Sequence, residues 1–89
     1  MNDTIRLSDE LGEQLRQQRE AQGLSKSELA TRAGKVREVV YRLEAGEDAT
    51  VSSLMAVLGA LGLALRIERV GLPTAQDVAR RFLEDDDAS

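Results

Sequence analysis

Apolar residues along the chain recur at three- and four-residue spacings broken by glycines, a pattern that predicts a series of short helices. Ser8 is placed to cap the first, with Asp9 and Glu10 in the first turn where the helix dipole favours acids. Leu11 and Leu15 begin its apolar stripe, and Gly23 ends it. Ser25-Lys26-Ser27-Glu28 reads as a capping box opening a second helix, with Leu29, Ala30 and Ala33 on its inward side and Gly34 as its stop. A third helix is expected from about Val36 to Ala45, where Val36, Val39, Val40 and Leu43 share helical spacing before Gly46. Thr50 caps a fourth, whose Leu54, Val57, Leu58 and Leu61 form a wide apolar face ending at Gly62.

Beyond Gly62 the period changes. Leu63, Leu65 and Ile67 alternate with Ala64, Arg66 and Glu68, the two-residue repeat of a half-buried strand. A strand must pair its backbone groups, and no second strand is visible in the sequence. The expected supplier is the same strand of a second copy, related by a two-fold axis, which makes Leu63, Leu65 and Ile67 dimerisation residues. After Gly71-Leu72-Pro73, Thr74 caps a short fifth helix with Asp77 three residues on. Val78, Phe82 and Leu83 are its docking residues, and Glu84-Asp85-Asp86-Asp87 forms a solvated acidic tail.

Composition narrows the chemistry. The chain has 89 residues, enough for one modest core, and its only aromatics are Tyr41 and Phe82, so that core is aliphatic. It has no Cys and no His, which removes thiolate and imidazole metal sites, disulfides, cysteine nucleophiles and histidine-based triads. No glycine-rich phosphate loop occurs, and the Asp85-Asp86-Asp87 run has no rigid ligand cage around it. An enzyme, a cofactor and a metal are therefore not expected. Neither a signal peptide nor an apolar run of spanning length is present, so a cytoplasmic address away from membranes is expected. Net charge is −4, yet residues 24–46 carry five basic side chains (Lys26, Arg32, Lys35, Arg37, Arg42) against three acidic ones (Glu28, Glu38, Glu44). This is the one cationic block in an acidic chain.

Two short helices joined at a glycine, with small residues at their crossing, have the geometry of a helix-turn-helix. Residues 24–46 resemble the DNA-binding core of the Cro/phage-repressor (Xre-type) family. Ala30 stands at the small helix-crossing position, Gly34 at the turn glycine and Val40 at the apolar plug, with Leu43-Glu44-Ala45-Gly46 matching a further family segment. The fold so implied is all-α, a lambda-repressor-like helix-turn-helix bundle with a C-terminal strand pairing across a homodimer and a short C-terminal helix. Its expected divisions are an N-terminal segment 1–8, a DNA-binding domain 9–62 with the motif at 25–45, and a dimerisation strand, helix and tail at 63–89. Three positions depart from the family pattern: Lys26 stands where Gln is usual, Lys35 where a valine is usual, and Val36 where a Ser or Thr cap is usual. Without a side-chain oxygen at Val36, the third helix is expected to be less stable by ~1 kcal/mol.

The resemblance implies a sequence-specific DNA-binding transcriptional repressor acting as a homodimer on an inverted repeat. Its base-facing positions correspond to Arg37, Glu38 and Arg42, with Val36 and Tyr41 beside them. Arginine suits guanine because its planar fork donates to O6 and N7 together, and Val36 suits a thymine methyl. Ser25 and Lys26 open the preceding helix where a phosphate is favoured, and Lys35 adds another phosphate contact. Glu38 either accepts from a cytosine amine or pairs with Arg42 four residues on, the second being the favoured role. Tyr41 either packs on the neighbouring helix, bonds a phosphate or touches a base. Arg19 and Glu44 match a pair that in the family fixes the recognition helix, a structural role. The strand after the fourth helix also resembles HipB-type antitoxins, which adds an autoregulated toxin-antitoxin operon and a toxin partner as an alternative. A protein-interaction module on the same fold without DNA binding is the rival from another class.

Overall fold

Helix caps and glycine stops divide the chain largely as its pattern predicts. A computed structural model describes residues 4–70. Among them four helices form: α1 Ser8–Ala21, α2 Lys26–Ala33, α3 Arg37–Glu44 and α4 Val51–Ala60. The expected fifth helix at Thr74 and its docking residues Val78, Phe82 and Leu83 lie outside the described residues.

The start of α1 differs from expectation. Ser8 is its first helical residue and Leu7 occupies the cap position without any side-chain acceptor. The Glu10 carboxylate instead reaches back to accept from the backbone N–H of Leu7 at 2.9 Å and of Arg6 at 3.1 Å, the acid's half of a capping box. Within the first turn the Glu10 N–H donates to Asp9 Oδ1 at 3.0 Å, where a cap hydroxyl would have accepted it. Thr50 caps α4 as expected, its hydroxyl oxygen accepting from the Ser53 N–H at 3.1 Å. At the far end of α1, the Gln22 side-chain amide donates to the Leu61 carbonyl at 2.8 Å and ties α1 to the end of α4.

The core is aliphatic. Leu15 of α1, Leu29 and Ala30 of α2, Val40 and Leu43 of α3, and Val57 and Leu58 of α4 converge with Leu24 and Leu61 from the connections. Leu15, Leu29, Val40 and Val57 are almost wholly buried, each contributing about 1.5–3 kcal/mol through removal from water. Helix α3 packs on α1 and α2, and α2 also packs on α4. The α1–α3 crossing is unusually close, and it depends on Gly12. A Cβ there would strike the Glu44 carbonyl oxygen and stand 2.6 Å from that of Leu43. That glycine, in the middle of a helix where it costs intrinsic stability, has its reason in this contact.

No strand is present among the described residues. The expected strand over 63–68 is not formed in the single chain, because a strand exists only as a hydrogen-bonded ladder and no described segment supplies one. Leu63 instead closes α4, its N–H donating to the Leu58 carbonyl at 2.8 Å, and its side chain packs partly against the core.

Candidate nucleic-acid interface

Helices α2 and α3 are joined by a turn whose geometry is set by one residue. Gly34 adopts φ 67° and ψ 31°, the left-handed region open to glycine, and caps α2. Its N–H donates to Thr31 at 3.1 Å and the Lys35 N–H donates to Ala30 at 2.9 Å, which turns the chain sharply into Val36. The buried Ala30 and Val40 belong to the core shared by the two packed helices. The result is a helix-turn-helix unit with both helix starts at the surface.

The start of α2 is closed by a reciprocal capping box. Ser25 Oγ accepts from the Glu28 N–H at 3.0 Å, and Glu28 Oε1 accepts from the Ser25 N–H at 2.9 Å. The backbone hydrogen bond from Ser25, supported by its side chain, holds the Glu28 carboxyl below its ordinary pKa. Because Ser25 Oγ acts as an acceptor here, its own hydrogen remains available to a phosphate oxygen. The start of α3 is open. Val36 supplies no side-chain acceptor, and its side chain is 65% exposed.

The end of α3 is fixed to α1. Arg19 Nε lies 2.6 Å from Glu44 Oε2 and Nη2 lies 3.0 Å from Oε1, a bidentate pair. Arg19 Nη1 donates to the Leu24 carbonyl at 2.8 Å, so the guanidinium also secures the entry to α2. Both side chains are largely buried. The Glu44 hydrogen bond raises the Arg19 pKa above its ordinary value, against the opposing effect of burial. Among the described residues no buried side-chain polar atom lacks a hydrogen-bond partner.

Residues expected to face DNA occupy the exposed side of this unit. Val36, Arg37, Glu38, Tyr41 and Arg42 are exposed on α3 and its cap, while Val39 is half-buried. The favoured pairing of Glu38 with Arg42 does not form: among the described residues neither side chain takes part in an ion pair. An exposed pair four residues apart gains only a few tenths of a kcal/mol against the entropy of two flexible side chains. Tyr41, whose partners the sequence left open, gathers two cations. Lys26 Nζ lies 4.0 Å and the Arg37 guanidinium carbon 4.9 Å from its ring centroid, and Arg37 Nη2 donates to its hydroxyl oxygen. The four-residue spacing of Arg37 and Tyr41 was a legible signal; the reach of Lys26 from another helix was not. Lys35 is half-buried at the turn, and Ser25 is exposed.

The expected dimerisation residues lie away from this face. Leu65 is 52% exposed and Ile67 92% exposed, whereas Leu63 is drawn toward its own core. Ile5, Leu7 and Leu11 join Leu65, Ile67 and Val70 in lining an open groove of about 880 Å³. Among the described residues no helix is long and apolar enough to cross a membrane, and no group of His, Cys, Asp or Glu could hold a metal ion.

An all-α bundle that presents a helix-turn-helix with cations at both helix starts defines a DNA-binding regulator. The chain belongs to the helix-turn-helix family of Cro/C1 (Xre-like) type, whose family model matches residues 15–67. That match runs from the middle of α1 through α4 and on to Ile67. No curated protein matches the chain.

Proposed function

We propose that the chain is a cytoplasmic, sequence-specific transcriptional repressor that binds an inverted-repeat operator as a homodimer. The observation that carries this reading is the open start of α3, where Val36, Arg37 and Glu38 stand exposed beside Lys26 at the start of α2. A helix with its first turn uncapped and its cations facing outward suits the major groove, where N-terminal residues of the second helix reach base edges. The capping box at Ser25 and the side chain of Lys35 serve the flanking phosphates. The function requires neither cofactor nor metal.

The exposed Leu65 and Ile67, lining one groove with Ile5 and Leu7, support dimerisation through 63–68. Pairing with the same segment of a second copy supplies the missing ladder and covers both side chains. Two recognition helices so related read half-sites about 34 Å apart. The same segment favours the HipB-type antitoxin reading as a special case, which adds a toxin to the partners.

Random-site selection from a pool of duplexes, with the whole chain and with Ile67→Arg, tests the proposal. The expected result is an enriched inverted repeat for the wild type, with the variant sedimenting as a monomer and binding the repeat more weakly. Failure to enrich any sequence would sink the DNA reading and leave the protein-interaction module. Enrichment of a lone half-site by a monomeric wild type would remove the homodimer.

A further inference from the structure

We propose that Lys26, Tyr41 and Arg37 form one clamp for a single DNA phosphate, with Tyr41 as the positioning residue that joins the two cations. The inference rests on the DNA-binding reading above and reassigns Arg37 from base edge to backbone. Lys26 is the first residue of α2, Arg37 the first of α3, and Tyr41 lies one turn further along α3. The turn at Gly34 therefore brings two helix starts to one aromatic ring. Both cations lie within cation–π range of that ring, at 4.0 Å and 4.9 Å, drawn by the negative charge of its face.

The ring is 40% exposed, so the group is a surface site rather than part of the core. None of the three side chains takes part in an ion pair with a carboxylate among the described residues. Two cations gathered on one ring repel each other, and an anion placed against both relieves that repulsion. The hydroxyl oxygen of Tyr41 accepts from Arg37 Nη2, which leaves its own hydrogen to donate outward. In the proposed clamp the ammonium, the guanidinium and the hydroxyl donor engage the two free oxygens of one backbone phosphate. One of the five N–H donors of Arg37 is spent on Tyr41, and in the clamp the others turn to the phosphate. Base reading falls to Val36, Glu38 and Arg42.

The test is the salt dependence of binding to the selected operator and to a scrambled duplex. It compares the wild type with Lys26→Ala, Arg37→Ala, the double variant, Tyr41→Phe and Tyr41→Leu. Each exposed substitution is expected to leave the urea unfolding transition in place. Each alanine variant is expected to weaken both duplexes by the same factor, roughly tenfold, with little change in the log–log salt slope, because the remaining cation still neutralises the shared phosphate. The double variant is expected to lower the slope by about 1 per subunit, the one phosphate being lost. Tyr41→Leu resembles the double variant, and Tyr41→Phe, which keeps the ring, falls between it and the wild type. A slope loss of about 2 per subunit in the double variant would mean two independent phosphates and overturn the clamp. So would an Arg37→Ala protein that relaxes preference at one base pair. In both outcomes DNA binding stands; a wild type with no salt-sensitive binding to any duplex overturns the clamp and the functional reading together.

Discussion

The two ends of α3 are built in opposite ways. Its C-terminal end is buried against α1, where Gly12 admits the carbonyls of Leu43 and Glu44 and Arg19 holds Glu44 through two hydrogen bonds. Its N-terminal end has an uncapped valine, exposed side chains and an Arg37 that pairs with no carboxylate among the described residues. The start of α2 lies beside it and has its backbone groups closed by Ser25 and Glu28, so that the Ser25 hydroxyl hydrogen and the Lys26 ammonium, rather than the backbone, are left for a phosphate. Groups already satisfied within the fold have little to gain from a ligand, whereas open donors and unpaired cations do. One end fixes the direction of the helix and the other is left for a nucleic acid.

Breaking the fixed end carries the largest expected effect. Arg19→Ala leaves the Glu44 carboxylate buried without its partner and frees the Leu24 carbonyl as well. The expected loss is about 3–5 kcal/mol, a large share of the stability of so small a domain. Urea unfolding measures it, and a midpoint equal to the wild type would show that the pair holds nothing.

Closing the open end carries the next effect and has the opposite sign. Val36→Ser places a hydroxyl at the cap of α3, where backbone geometry is already suited to capping at φ −76° and ψ 156°. The expected gain is ~1 kcal/mol in urea unfolding. Operator affinity is expected to fall, since the exposed valine methyls are lost and an intramolecular acceptor occupies the first turn. A variant that is more stable and also binds more tightly would mean that the open start serves no ligand.

This contrast was legible in part. The helix bounds, the Ser25–Glu28 box, the turn at Gly34 and the absent cap at Val36 are local features, written in neighbouring residues and decided by them. Long-range features divide differently. Arg19 and Glu44, 25 residues apart, were paired only through the family resemblance, since no periodicity joins two different helices. Gly12 looked like an ordinary helix interior, and its reason appears only when α3 crosses it. The N-terminal cap of α1 and the expected Glu38–Arg42 pair went astray because several near-equal local partners compete for the same groups, and spacing alone does not choose among them. The alternation at 63–68 predicts a strand that does not form among the described residues, since pairing is a property of two chains or two segments, which one sequence does not display.

The smallest effect sharpens the contrast between the two helix starts through pH. Glu28 has its pKa lowered by the hydrogen bonds from Ser25, so its carboxylate is favoured in the folded state over the unfolded one. The stabilisation it gives is complete above the unfolded glutamate value of about 4.3 and is lost as pH falls through the lower folded value. Glu28→Gln keeps a side-chain oxygen that can accept from Ser25 but does not titrate in this range. The difference in urea midpoint between wild type and Glu28→Gln is therefore expected to favour the wild type near pH 6 and to shrink as the pH falls below the unfolded glutamate value of about 4.3. A companion pair, Val36→Ser with and without Glu28→Gln, should show the same shrinkage at α2 and none at α3, because serine does not titrate. Parallel pH profiles for wild type and Glu28→Gln would mean that the charge of Glu28 contributes nothing to the closed start, leaving its geometry alone to account for it.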